Sequence, residues 1–219
     1  MNRIFGCLAG VLVVMLAANA TAFADNNTFS STRIKQTITW QDYVQKNPSD
    51  PKGHFELAMI YALTGRVEKG LGELGKLDQA YAATVIASYE ALVKSEPWEA
   101  DHKFKLAFGY YFADRKADAK LMFQRILDEN DSQHVWAMGY KALILGYEER
   151  LDEVIVLCQK ALEIDPQAAG IWFLRGEAYR KQGELFRGAS DMLKALRLRA
   201  QDEHTWKKLE REGRAFSNS

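Results

Sequence analysis

Cysteine is scarce in this chain: two residues in 219, Cys7 and Cys158. Cys7 lies in an apolar N-terminal run, so the body holds Cys158 alone and has no pair for an internal bridge. Its stability must then come from packing, and Cys158 reads as a small apolar residue of that packing. Proline is equally sparse, with four residues, Pro48, Pro51, Pro97 and Pro166. Period-two alternation, the mark of half-buried strands, is missing. Net charge is missing too: 29 Lys and Arg stand against 29 Asp and Glu. That balance argues against broad capture of nucleic acid or anionic lipid, which requires a basic face. What is present is 47% apolar and 26% charged residues, the proportions of a folded domain.

The first residues are set apart from the rest. Arg3 is followed by an uncharged stretch from Ile4 to Ala18, then by small residues and Ala22-Phe23-Ala24, which has the A-x-A form of a cleavage site. The stretch is shorter than the roughly 20 residues that cross a bilayer. Residues 1–24 are therefore expected to be a signal peptide, 25–35 a flexible N-terminus, and 215–219 a tail. The protein is expected to be exported, periplasmic or extracellular, with no stable membrane span after cleavage. An uncleaved leader acting as an anchor is the alternative.

Apolar residues recur at helical spacing through the body. With Pro166 at position 32 of a unit of about 34 residues, Val135 opens one unit and Ala169 the next. In the Ala169 unit, Trp172, Gly176, Tyr179, Gly183 and Ala195 fall at positions 4, 8, 11, 15 and 27. A unit from Ala100 puts Leu106, Ala107 and Tyr110 at 7, 8 and 11, with Ala119, Phe123 and Ile126 at 20, 24 and 27. A unit from Pro51 has Leu57, Ala58, Tyr61 and Gly65 at 7, 8, 11 and 15. The Val135 unit is weaker, with Lys141 at 7, Ala142 at 8, Leu145 at 11, Val154 at 20 and Cys158 at 24. Small residues at 8 and 20 allow two antiparallel helices to approach, and large ones at 11 and 24 fill the remaining space.

This spacing resembles the tetratricopeptide repeat, over about residues 36–214. The resemblance implies an all-α, right-handed superhelix (an α-solenoid) of about four helical hairpins with half-repeat caps. The expected repeats lie near 51–84, 100–133, 135–168 and 169–202. Gln36–Lys46 would be a half-repeat before them, and 203–214 a capping helix after them. Pro51 and Ala100 are farther apart than one unit allows. Residues 66–96 are either one second helix lengthened by roughly 22 Å or two helices folded back, and Gly70, Gly72 and Gly75 weaken the single helix.

The family architecture implies that first helices line the concave side, with positions 2, 5, 9 and 12 toward the groove. That assigns Phe55, Met59, Phe104, Phe108, Tyr111, Trp136 and Phe173 to its wall, widened by Tyr140 and Tyr147. Such an aromatic strip suits an apolar protein or peptide segment. In the alternative the residues pack on one another, or the N-terminal helix fills the groove. The lysine, asparagine and arginine clamp by which some family members hold a carboxylate is absent. Chemistry finds no foothold. His54, His102, His134 and His204 are scattered, and no metal, phosphate-loop or nucleophile-elbow motif occurs. The expectation is a non-enzymatic adaptor or scaffold without cofactor or metal, self-association remaining possible. A module for a glycan or acyl ligand is the other reading.

Overall fold

A computed structural model of the chain describes residues 30–217, and the expected leader lies outside them. The described residues form ten helices and no strand: α1 (Ser31–Lys46), α2 (Pro51–Leu63), α3 (Val67–Leu74), α4 (Tyr81–Ser95), α5 (Ala100–Phe112), α6 (Lys116–Glu129), α7 (Val135–Tyr147), α8 (Leu151–Ile164), α9 (Ala169–Lys181) and α10 (Leu185–Ser217). The pairs α2–α3, α5–α6, α7–α8 and α9–α10 are helical hairpins, and successive hairpins stack into an α-solenoid over one continuous core.

Three recurrent devices make the hairpins alike. At position 15 the chain turns through the left-handed region, at Gly65 (φ 71°), Asp114 (φ 59°), Glu149 (φ 59°) and Gly183 (φ 84°). Two of the four turns thus lack the glycine that the conformation favours. At positions 8 and 20 the two helices nearly touch. A Cβ on Gly176 would meet Gly188 O at 3.0 Å, and one on Gly70 would meet Ala58 O at 3.3 Å. At position 4 a nitrogen reaches back to the carbonyl of a proline in the preceding turn: His54 Nε2 to Pro48 O at 2.9 Å, Lys103 Nζ to Pro97 O at 2.7 Å, Trp172 Nε1 to Pro166 O at 2.9 Å. An imidazole, an ammonium and an indole serve one purpose, fixing the entry of each first helix on the turn before it.

One open alternative is decided and three expectations require correction. Residues 66–96 form two helices, α3 and α4, joined by residues 75–80, rather than one lengthened helix. Gly72 and Gly75 favour interruption there, and Asp78 accepts the Ala80 N–H at 2.9 Å in a local turn. Residues 31–35 are not a flexible N-terminus: Ser30 accepts the Arg33 N–H at 3.2 Å as a helix cap, so α1 starts five residues before Gln36. The last unit does not end at 202 with a separate cap from 203. Ala200 stands where Pro166 stands one unit earlier, and without a breaker α10 runs on for 33 residues, about 50 Å. Lastly, Ser217 belongs to α10, so the tail assigned to 215–219 begins within a helix.

The length of α10 closes the solenoid on itself. Its distal half returns to α1 and α3, where Trp206 is 1% exposed. The Arg66 guanidinium lies between the Trp206 ring, 3.7 Å from its centroid, and the Tyr61 ring, at 4.5 Å. Arg66 also donates to Glu210 (2.6 Å) and Thr37 (2.9 Å). Arg214 holds Asp42 and Gln41 of α1. At Gly213 a Cβ would lie 3.5 Å from the Ile34 side chain and closer still to Ile38, so the missing side chain sets the approach of α10 to α1.

Candidate binding cleft

The concave side is built by α5, α7 and α9, but it is not empty. α2 crosses it, and residues 53–63 are all buried. Near its start, Glu56 accepts from Lys105 of α5 at 2.7 Å and from Tyr89 of α4 at 2.6 Å. At its end, Ala62 O accepts from Tyr140 of α7 at 3.2 Å, Gly65 abuts the Trp136 ring, and Val67 lies close to Gly170 of α9. A first helix lying only beside its neighbour would touch α5 alone. This one reaches across α5 to α7.

The nine residues assigned to the groove therefore divide. Phe55 and Met59, 2% and 0% exposed, sit on the crossing helix and are not groove wall. Phe104, fully buried, is the hub of an aromatic cluster with Phe108 (5.2 Å between ring centroids), Phe123 (5.6 Å) and Tyr140 (5.8 Å). These three are core, because the space they were to line is taken by α2. Burial pushes the Tyr140 phenol above its ordinary range.

Phe108, Tyr111, Trp136, Tyr140, Tyr147 and Phe173 are brought together along a cleft of about 650 Å³. Tyr147 and Phe173 are 59% and 52% exposed, whereas Trp136 shows only 6%. The hydroxyls of Tyr111 and Tyr147 lie 3.5 Å apart, and burial, then this contact, raises the Tyr111 pKa. The opposite walls were not legible in the repeat pattern. Leu71 and Leu74 come from α3, and Leu196 and Trp206 from α10. Two ion pairs bridge these walls, Glu68–Arg199 and Lys69–Glu203, the latter at 3.6 Å. Asp202 also faces the cleft, and burial, with Asp165 nearby, pushes its carboxyl up to about 6.

Glu177, Arg180 and Lys181 gather at the end of α9, and Glu177 and Lys181 line the cleft. Arg180 pairs with Glu177 at 2.8 Å along the helix. Among the described residues no three His, Cys, Asp or Glu side chains gather as a metal site would require. No helix among them is long and apolar enough to cross a membrane. Cys158 is fully buried, and burial pushes its thiol up to about 12, far from a reactive thiolate.

A tetratricopeptide-repeat family model matches residues 157–188, the end of α8, all of α9 and the start of α10. No curated protein matches the chain. Among solved structures, one of MamA protein is 18% identical, covering 75% of this chain and 81% of its own, with a TM-score of 0.50. A second MamA structure is 18% identical over 75% and 87% of the two chains, at a TM-score of 0.47. A third, MamA MSR-1 C2, is 15% identical over 81% and 93%, at 0.46. The likeness at these identities is one of fold. The family match identifies a tetratricopeptide repeat at residues 157–188, and the four left-handed turns in register carry the same hairpin through the stacked α-solenoid.

Proposed function

We propose that this protein is an exported, non-enzymatic scaffold that holds an apolar segment of a protein partner in the cleft between α3, the concave helices and α10. The observation that carries this reading is the half-exposed pair Tyr147 and Phe173, standing over an apolar floor where aromatics normally withdraw from water. Export is supported by the Ile4–Ala18 run and the Ala22-Phe23-Ala24 motif. The repeat type supports a partner that is a protein.

The test is capture from an envelope extract by the chain from Asp25 onward, beside a Tyr147→Ala, Phe173→Ala variant. The captured partner's segment is then titrated in purified form. Both side chains are too exposed for the fold to depend on them, so a loss of affinity of about tenfold or more is expected from the site itself. Undiminished affinity would refute the reading.

One observation favours a second occupant. The cleft is walled on both sides, by α3 and α10, and its volume falls within the roughly 300–1,000 Å³ of small-ligand sites. An acyl chain fits that enclosure. Displacement of a fluorescent apolar dye by free fatty acid, abolished in the same variant, would separate it from a peptide.

A further inference from the structure

The balanced charge of the chain conceals an uneven distribution. Residues 180–214 carry ten Lys and Arg against six Asp and Glu. Along α10 the structure sorts those charges by side. Asp191 is 6% exposed and receives Arg175 at 2.7 and 3.1 Å. Glu203 receives Lys69, Glu210 receives Arg66, and Asp202 faces the cleft. The carboxylates from Asp191 to Glu210 are thus engaged on the inner side of the helix.

The outer side is a single stripe at helical spacing. It runs from Phe186 through Leu193, Arg197, His204 and Lys208 to Arg211, every one exposed, with Glu212 at its edge 4.0 Å from Lys208. Lys207 flanks its distal half, 3.4 Å from Glu203. Phe186 is 93% exposed and Leu193 56%, so two large apolar side chains stand in water at one end of the ridge while the cations gather at the other. From Phe186 to Arg211 the stripe is about 37 Å long.

We infer that the outer face of α10 docks the protein on an anionic lipid surface, Phe186 and Leu193 entering the interface and Arg197, Lys207, Lys208 and Arg211 meeting the headgroups. Charge complementarity selects the partner: Arg197, Lys207, Lys208 and Arg211 outnumber the carboxylates beside them, Glu203 and Glu212. Those exposed pairs are weak, and the excess of cations favours a negative surface. Shape selects a membrane over an acidic protein. Phe186 is 93% exposed, and the stripe is one helix wide. A protein hot spot needs an enclosing pocket, whereas a bilayer moulds itself around an amphipathic ridge. The binding is reversible, because the apolar contribution is two side chains and the electrostatic part is screened by salt. This site is on the side of α10 away from the cleft, so it does not depend on what the cleft holds.

The test is vesicle co-sedimentation of the chain from Asp25 onward, since an attached leader would bind lipid by itself and one continuous core runs through the described residues. Vesicles of equal parts phosphatidylcholine and phosphatidylglycerol are compared with pure phosphatidylcholine, at low and high salt. Binding to the anionic vesicles alone, lost at high salt, is expected. The triple variant Arg197→Gln, Lys207→Gln, Lys208→Gln should bind about a hundredfold more weakly, near fivefold per charge. Phe186→Ser should weaken binding about tenfold with an unchanged circular dichroism spectrum. Equal binding to neutral vesicles, no binding to anionic ones, or unaltered binding by the triple variant overturns the proposal. So does a synthetic acidic helical peptide that binds this face while vesicles do not.

Discussion

Replacing Trp206 by alanine removes the side chain that holds the distal half of α10 against α1 and α3. Trp206 is 1% exposed and covers one face of the Arg66 guanidinium, whose other face lies on Tyr61. Truncating a buried tryptophan costs about 3–5 kcal/mol through lost transfer and the cavity left behind. Loss of the cation–π contact adds roughly 1 kcal/mol. Water reaching the opened face of Arg66 returns part of this, because burial is what disfavours its charged form, while Glu210 continues to pair with it. The net expectation is a loss of about 3–4 kcal/mol, against about 5–15 kcal/mol for a whole domain. The hairpins from α5 to α9 should then stay folded. Urea denaturation followed by circular dichroism gives the loss, and amide hydrogen exchange gives its location. Protection should fall at residues 203–217 and in α1 and hold in α5–α9. A loss below about 1 kcal/mol, or exchange that rises evenly along the chain, would refute closure by this contact.

Three further outcomes follow from the geometry. Lys103, fully buried, donates to Pro97 O, Glu129 and Asn130, and the bond to Glu129, after those from Arg125, helps hold that carboxyl down to about 2. Lys103→Met should cost about 1–3 kcal/mol and Trp172→Phe, losing a single bond to Pro166, about 1 kcal/mol, both read from denaturation midpoints. At the position-15 turns, Glu149→Gly should raise the melting temperature by relieving about 1 kcal/mol of left-handed strain. Gly65→Ala should lower it, because the added methyl enters a strained φ and meets Trp136. Asp202 titrates at about 6 in the fold and from 3.8 without it, so its contribution is intact below about 4 and is lost as the pH rises through 6. Asp202→Asn should flatten that part of a stability-versus-pH curve and stabilise the protein at neutral pH by up to about 3 kcal/mol.

The sequence alone determined the repeat. Leu106, Ala107, Tyr110, Ala119 and Phe123 occupy their positions because two helices in contact impose a spacing on each other, and that constraint is local enough to be read from residue type. Gly65 and Gly183 announced their turns for the same reason. Asp114 and Glu149 did not, since the backbone bonds that close their own turns, Arg115 N–H to Tyr110 O and Arg150 N–H to Leu145 O, accompany a left-handed φ that residue type does not announce.

What only the tertiary structure decided is the placing of elements distant in sequence. Phe55 and Phe104 looked like groove wall because the repeat gives a residue's side of the helix, and α2 then occupies the space that side faces. Nothing in the spacing of α10 told that its far end would meet Arg66, or that its carboxylates from Asp191 to Glu210 would be engaged inward and leave an excess of cations outside. A period records which neighbours a residue has within its own hairpin and the next. Closure of the solenoid joins residues more than a hundred positions apart, and that contact is set by the accumulated geometry of every hairpin between them.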